Sequence, residues 1–334
     1  MLRTLLSHVA SASVQGRTRT MLVSNGVVRR VFAILAVGVS VCGAWDPQGL
    51  RVDLGIVDSA GTRLVRLRSF QEPTGKTWMV ALDPMCLETS VRAQAGWTVL
   101  QDSLSRLDST TWQTLRREEQ ARDWKRGGVS RLWGTGRGVA LTIDLCPSHK
   151  PFDRRVVAGL RKAFGSVGTP IPVSFALTGS WMRNHEKDLA WLRSLADSGI
   201  LEPTWINHTD NHRYHKGLAD AKNFLLLPGT DVEAEILGAE SEMLRHGLVP
   251  SVYFRFPGLV DSKPLFEQVA KTGLLPVGAD AWLAKDQKPG PGSIVLIHGN
   301  GNEPKGVRDF LQLLRGKKPG IRQGTWRLED LRRG

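Results

Sequence analysis

Apolar and polar positions change period along this chain, and the changes mark out its elements. RVDLGIVD (51–58), TRLVRLRSF (62–70) and TWMVALD (77–83) are β-branched and alternating, with Asp-Ser-Ala-Gly and Pro-Thr-Gly turns between them, which predicts strands. Over 101–124 the pattern becomes helical and stops at Gly127-Gly128. Beyond residue 137 short apolar strands alternate with amphipathic helices. The strands are VALTID (139–144), IPVSFALT (171–178), PTWIN (203–207), VYFRF (252–256), LLPVGA (274–279) and SIVLIH (293–298). The helices are RRVVAGLRKAF capped by Asp153, HEKDLAWLRSLADSG capped by Asn184 and stopped at Gly199, and VEAEILGAESEMLRHG capped by Thr230 or Asp231. Asp261 or Ser262 with Pro264 starts another, and a last one lies near 307–314. Repeated β-α units imply a parallel sheet, either closed as a barrel or open and doubly wound. The expected organisation is an α/β domain over 136–334, preceded by a small α+β accessory region over 45–135, with GTGRG (134–138) as the join.

Composition adds a compartment and a charge. Arg29 and Arg30 precede an apolar run from Val31 to Val41 and then Cys42-Gly43-Ala44, the pattern of a secretory signal over 1–44, with Met21 as an alternative start. The run is too short for a comfortable membrane span, so the expectation is a secreted or periplasmic protein, with anchoring by an uncleaved N-terminus or Cys42 as the alternative. The 334 residues carry a net charge of +13, and five of those positives, all arginines, precede the first acid, Asp46. Loss of 1–44 leaves +8, which favours acidic partners such as anionic glycans, phosphate polymers or lipid headgroups. No dense Lys/Arg cluster with interleaved aromatics is present, which argues against nucleic acid. Cys86 and Cys146 remain after cleavage, and the sequence does not say whether they pair.

The candidate chemistry centres on HTDNH. His208 and His212 lie four residues apart just after a strand, and two neutral imidazoles facing one point are what a zinc-type cation needs from a protein. Asp144 ends the first strand of the α/β region, Arg255 the fourth, Asp280 the fifth and His298 the sixth. In parallel β/α folds the C-terminal ends of strands share one face, and catalysis sits there. Each residue alone has a plain structural explanation, but their recurrence at the same end of successive strands predicts that they converge. Asn207 is expected to fix the loop through side chain to backbone bonds. His215 reads as exposed, and GNGNEPKG (299–306) as a turn-rich wall or an ordinary loop.

In these motifs residues 139–315 resemble the polysaccharide deacetylases of the NodB-homology type, carbohydrate esterase family four. TIDLCP (Thr142–Pro147) stands where that family has Thr-Phe-Asp-Asp-Gly-Pro, and HTDNH where it has His-Ser/Thr-x-x-His. RFPG (Arg255–Gly258), Asp280 with Trp282, and LIH (Leu296–His298) follow in the family's order. The resemblance implies a distorted (β/α) barrel and metal-dependent removal of acetyl groups from N-acetylated sugars. It implies that Asp144 is the general base and that Arg255 holds and orients it. It makes His208 and His212 metal ligands, and His298 the acid that protonates the leaving amine with Asp280 orienting it. Trp282, Leu296 and Pro257 would line the pocket for the acyl group. The cofactor implied is a divalent metal, zinc by ligand type, with cobalt or nickel also compatible. The partner implied is a carbohydrate polymer of the cell envelope or exterior.

One position departs from the family. The second Asp of the first motif, the family's third metal ligand, is Leu145 here, and leucine cannot bind a metal. Asp144 itself, Cys146, His149 and Asp153 are the candidate replacements. Two readings follow: a hydrolase with a substituted ligand, or a non-catalytic glycan-binding or assembly protein on the same barrel.

Overall fold

The computed structural model describes residues 43–100, 104–121, 127–132 and 137–333. Residues 1–42 of the signal-like segment 1–44, with Met21 and Cys42, and most of the Gly-rich join lie outside the described residues. All the described residues belong to one compact unit.

The first region is a sheet of β1 (Gln48–Ser59), β2 (Thr62–Gln71), β3 (Thr77–Leu82), β4 (Thr89–Ala93) and β5 (Thr98–Leu100). It is antiparallel in the order β4-β3-β2-β1-β5. The helix that follows, α1, is shorter than its pattern predicts and spans Thr111–Ala121. This region does not stand apart. Its Ile56, Val65, Leu67 and Trp112 share a hydrophobic cluster with Leu275, Val277 and Leu296 of the second region. Arg68, 1 % exposed, forks onto Glu240 at 2.6 and 2.9 Å, a buried pair that ties the two layers. Such a pair fixes register more than it adds stability, because both ions lose their water.

The second region alternates strands and helices as its periodicity predicts. The elements are β6 (Gly138–Leu145), α2 (Arg155–Phe164), β7 (Ile171–Leu177), a short α3 (Gly179–Asn184), α4 (Glu186–Asp197) and β8 (Leu201–Asn207). After a long loop come α5 (Val232–Arg245), β9 (Tyr253–Phe254), α6 (Lys263–Lys271), β10 (Leu275–Pro276), β11 (Ala281–Trp282), β12 (Ile294–His298), α7 (Pro304–Arg322) and β13 (Arg327–Leu328). The strands run in the order β10-β9-β8-β7-β6-β12-β11, with β13 beside the start of β6, and every pair is parallel. The sheet curls into a distorted barrel, and Val129, bridging to Val277 in parallel, lies along its β10 edge.

The caps fall where the side chains can reach an orphan N–H. Asp231 accepts from Ala234 N at 3.0 Å and Ser262 from Leu265 N at 3.4 Å, so of the paired alternatives Asp231 and Ser262 serve. Asn184 instead bonds back to Ser180 O, and α4 starts after His185 without a side-chain cap. The outer helices cover Leu141, Ile143, Leu145, Phe175 and Ile297 of the sheet. The alternation of side chains along β6 therefore sends Leu145 outward and leaves Asp144 on the inner face.

Candidate active site

The site lies where β6, β8, β9 and β12 end. Asp144 and His298 are in register across β6 and β12, so two neighbouring strands deliver a carboxylate and an imidazole at the same level. Asn207, at the end of β8, sets the His loop: its Nδ2 donates to Ile236 O and its Oδ1 accepts from Thr209 N, both at 2.9 Å. Thr209 has φ 72° and His212 φ 48°. For a β-branched residue that left-handed backbone costs roughly 1–3 kcal/mol, and the buried Asn207 bonds hold it there.

Three ligand-type atoms converge. Cys146 Sγ, His208 and His212 offer donors that all lie within 4.8 Å of one another. Cys146 Sγ is 3.5 Å from His208 Nε2. His208 Nδ1 lies 2.9 Å from Arg255 O, a carbonyl, so that nitrogen carries the proton and the Nε2 lone pair faces the cluster. His212 packs edge-on to both His208 and Phe224, and its buried Nε2 has no hydrogen-bond partner. An imidazole pair plus a soft sulfur, with an orphaned ring nitrogen between them, fits a zinc-type cation with an open position.

Cys146 occupies this place because of the strand's pleat. Residues 144 and 146 lie on one side and 145 on the other, so the residue after Leu145 faces the histidines. The other candidate ligands lie elsewhere. His149 is exposed. Asp153 is clamped by Arg155 at 2.6–3.2 Å and accepts from Arg155 N, next to the helix start rather than the site. Cys146 and Cys86 are both free, the first buried and the second exposed, so they form no disulfide.

Asp144 and Arg255 sit beside this cluster. Asp144 Oδ2 is 3.8 Å from His208 Nε2, and Asp144 Oδ1 is 3.8 Å from a terminal nitrogen of the fully buried Arg255. The other terminal nitrogen of Arg255 donates to Thr142 Oγ1 at 2.9 Å, and Thr142 in turn donates to Val295 O. Asp144 Oδ1 and the facing Arg255 nitrogen have no hydrogen-bond partner, so both point into one polar space.

His298 is oriented by Glu303, not by Asp280. Its Nδ1 lies 2.8 Å from Glu303 Oε2, which also accepts from Trp282 Nε1 at 2.6 Å. Asp280 is taken up by Ile294 N at 3.0 Å, Ser293 Oγ at 3.2 Å and Arg131 at 2.8 Å, and it braces the entry to β12. The place at the His298 ring expected for Asp280 is taken by Glu303. Its only signal was an acid five positions after a strand-end His, inside the turn-rich segment. The rest of that segment also serves the site: Asn300 Nδ2 donates to Cys146 O at 2.6 Å. Of the predicted pocket residues, Trp282 packs against the His298 ring with centroids 5.8 Å apart. Leu296 lies in the inner cluster, and buried Pro257 opens a turn just after Arg255. His215 is exposed and not a ligand.

The charges divide the imidazoles between two tasks. Burial pushes His208 down to about 4, against the pull of Asp144, so it is neutral near pH 7 as a ligand must be. Burial alone would raise the Cys146 thiol, but His212 and His298 outweigh it and bring it down to about 7. Burial opposes the charged form of His298, yet Cys146, Glu303 and Asp144 together raise it well above the ordinary histidine value. Burial also opposes the Glu303 carboxylate, and the bonds from His298 and Trp282 hold it below the usual range. One imidazole is thus held neutral and another kept ready to give a proton.

No family model matches the chain. Among solved structures it is similar to a peptidoglycan N-acetylglucosamine deacetylase, at 17% identity and TM-score 0.44 over 61% of this chain and 90% of that one. A family 4 carbohydrate esterase from Bacillus anthracis is 19% identical with TM-score 0.45, over 67% and 90%. A family 4 pseudoenzyme from the same organism is 13% identical with TM-score 0.42, over 62% and 68%. The five motifs in family order, carried on the ends of parallel strands in a curled sheet, are consistent with a NodB-type deacetylase domain.

Proposed function

We propose that this protein is a hydrolase that removes acetyl groups from an N-acetylated glycan of the cell envelope or exterior, with Cys146, His208 and His212 holding a divalent metal. The observation that carries this reading is the convergence of those three donors beside Asp144 at one strand-end mouth. A bound divalent cation supplies polarisation of the acyl carbonyl and a more acidic water at neutral pH. Asp144, one face of which is free, takes the proton of the attacking water. Arg255 orients Asp144 from behind and is itself fixed by Thr142. His298 gives its proton to the departing amine, which leaves only when protonated. Glu303 holds the His298 ring and favours its charged form. Trp282 covers that ring and gives the acyl group an apolar wall.

A second reading has one observation in its favour. A low-lying Cys146 thiol, His298 and Glu303 form a nucleophile, base and orienting-acid series of the kind that serves covalent acyl transfer. The two readings separate on the metal. Purified protein is assayed for bound zinc and for acetate release from N-acetylated oligosaccharides, with and without a chelator, and again as Cys146→Ser. Zinc at one per chain, with activity abolished by chelation and restored by zinc, supports the hydrolase with a metal. Activity that survives chelation but not Cys146→Ser supports the thiol. Absence of both metal and acetate, with glycan binding intact, sinks both and leaves the binding protein.

A further inference from the structure

We propose that the C-terminal halves of α2 and α7 form a docking face for an anionic phospholipid bilayer. The inference rests on surface chemistry alone and is independent of the function proposed above. The two helices lie side by side, and Leu311 of α7 packs directly onto Gly159 of α2, where a Cβ has no room. Between them is a half-open groove of about 440 Å³ with a floor of Ala158, Ala163, Leu311 and Leu314. Lys162 stands on one rim and Arg315 and Lys318 on the other. A second depression, of about 510 Å³, continues past Lys162 to Arg161 and the strand starts Ile171 and Ile200.

Four cations of this face are uncompensated, while Arg155, at the upper end of the groove, is paired with Asp153. Asp309 is the one acid in the two helices, and Lys305 and Arg308 engage it. Arg161, Lys162, Arg315 and Lys318 are exposed, and none has an ion-pair partner among the described residues. Cations in a last helical turn favour the helix dipole, which accounts for Arg161 and Lys162 of α2. It does not account for like charges placed on both rims of one apolar groove, where they repel until an anion arrives. An apolar floor between cationic rims suits an amphiphile with an acidic head, and a wholly polar polyanion would leave that floor unused.

The position suits a membrane as well. α2 leads into the start of β7, and α7 leads to β13, which pairs with the start of β6. The groove runs down the flank of the barrel from Arg155, and its cationic part, from Lys162 to the strand starts Ile171 and Ile200, lies toward the end opposite the mouth that holds His208 and His298. The described chain enters at that same end, because Trp45 N donates to Leu244 O in the last turn of α5. A bilayer bound there leaves the mouth with His208 and His298 directed away from it.

The test is co-sedimentation of the full chain with vesicles of phosphatidylglycerol and phosphatidylcholine in equal parts, and with phosphatidylcholine alone. The triple variant K162Q/R315Q/K318Q removes three rim charges, and K162E/R315E/K318E reverses them. At ~1 kcal/mol per cation the neutral triple binds the anionic vesicles about 100-fold more weakly, and the reversed triple weaker still. The control K263E/K271E, on α6, keeps the bulk of the binding, and circular dichroism checks that each variant folds. Equal binding by wild type and a folded triple variant overturns the proposal. So does equal binding of the wild type to neutral and anionic vesicles. Binding of polyphosphate through these residues without vesicle binding also overturns it and assigns the face to a soluble polyanion.

Discussion

Glu303→Gln separates a residue that positions the acid from one that merely fills space. The substitution keeps the shape of the side chain and removes its charge. Two donors share Glu303 Oε2, His298 at 2.8 Å and Trp282 at 2.6 Å, so a neutral amide must hold both with one weaker acceptor. A hydrogen bond to a charged group is worth about 1.5–3 kcal/mol, which corresponds to roughly a 10- to 150-fold loss in kcat if it is expressed at the transition state. Glu303 is one of the groups that raise His298, and the active form of His298 is the protonated one. Activity therefore falls as pH rises through the His298 titration, and loss of Glu303 moves that alkaline limb to lower pH. The assay is acetate release over a pH series with saturating soluble oligosaccharide, so that kcat is read apart from KM. Glu303→Asp, which keeps the charge on a shorter arm, recovers part of the rate. A Gln variant with kcat within twofold of wild type, or with an unmoved alkaline limb, refutes the assignment.

Other outcomes follow from the same geometry. Asp280→Asn leaves kcat within about threefold and lowers stability by about 1–3 kcal/mol in denaturant melts, because its partners are Ile294 N, Ser293 and Arg131 rather than His298. Leu145→Asp, although it writes the family motif back into the chain, costs about 4 kcal/mol or more and restores no ligand, since residue 145 is fully buried under the helices; gain of metal affinity in this variant would contradict the pleat argument. Metal affinity, measured by competition with a chelator from pH 5.5 to 8, falls at least about tenfold per pH unit below about 7, because the proton on Cys146 competes there while His208, near 4, stays neutral. A flat affinity over that range removes Cys146 from the ligand set.

The alternation of strands and helices beyond residue 137 was legible because each carries its own period, and the family's motif order placed Asp144, His208, His212, Arg255 and His298 at strand ends. The sequence also contained the reason Cys146 faces the histidines, since residues two apart share a strand face. It could not say that the strand remains regular through Leu145, which depends on pairing with β7 and β12. Asp153 and His149 were equal candidates on paper, and what removes them is the reach of Arg155 and the course of a loop. The exchange of Asp280 for Glu303 was hidden for a similar reason. Asp280 sits at the start of β12 on Ser293 and Ile294, a strand length from His298, and only the path of the 299–303 turn brings a carboxylate to the Nδ1 of that ring. In the first region the strands were plain, but their packing against Leu275 and Val277 was not. Local periodicity and residue chemistry are properties of a segment, and one chain determines them. Which side chain closes a contact between segments depends on angles and distances accumulated over the whole barrel, and only the tertiary structure decides that.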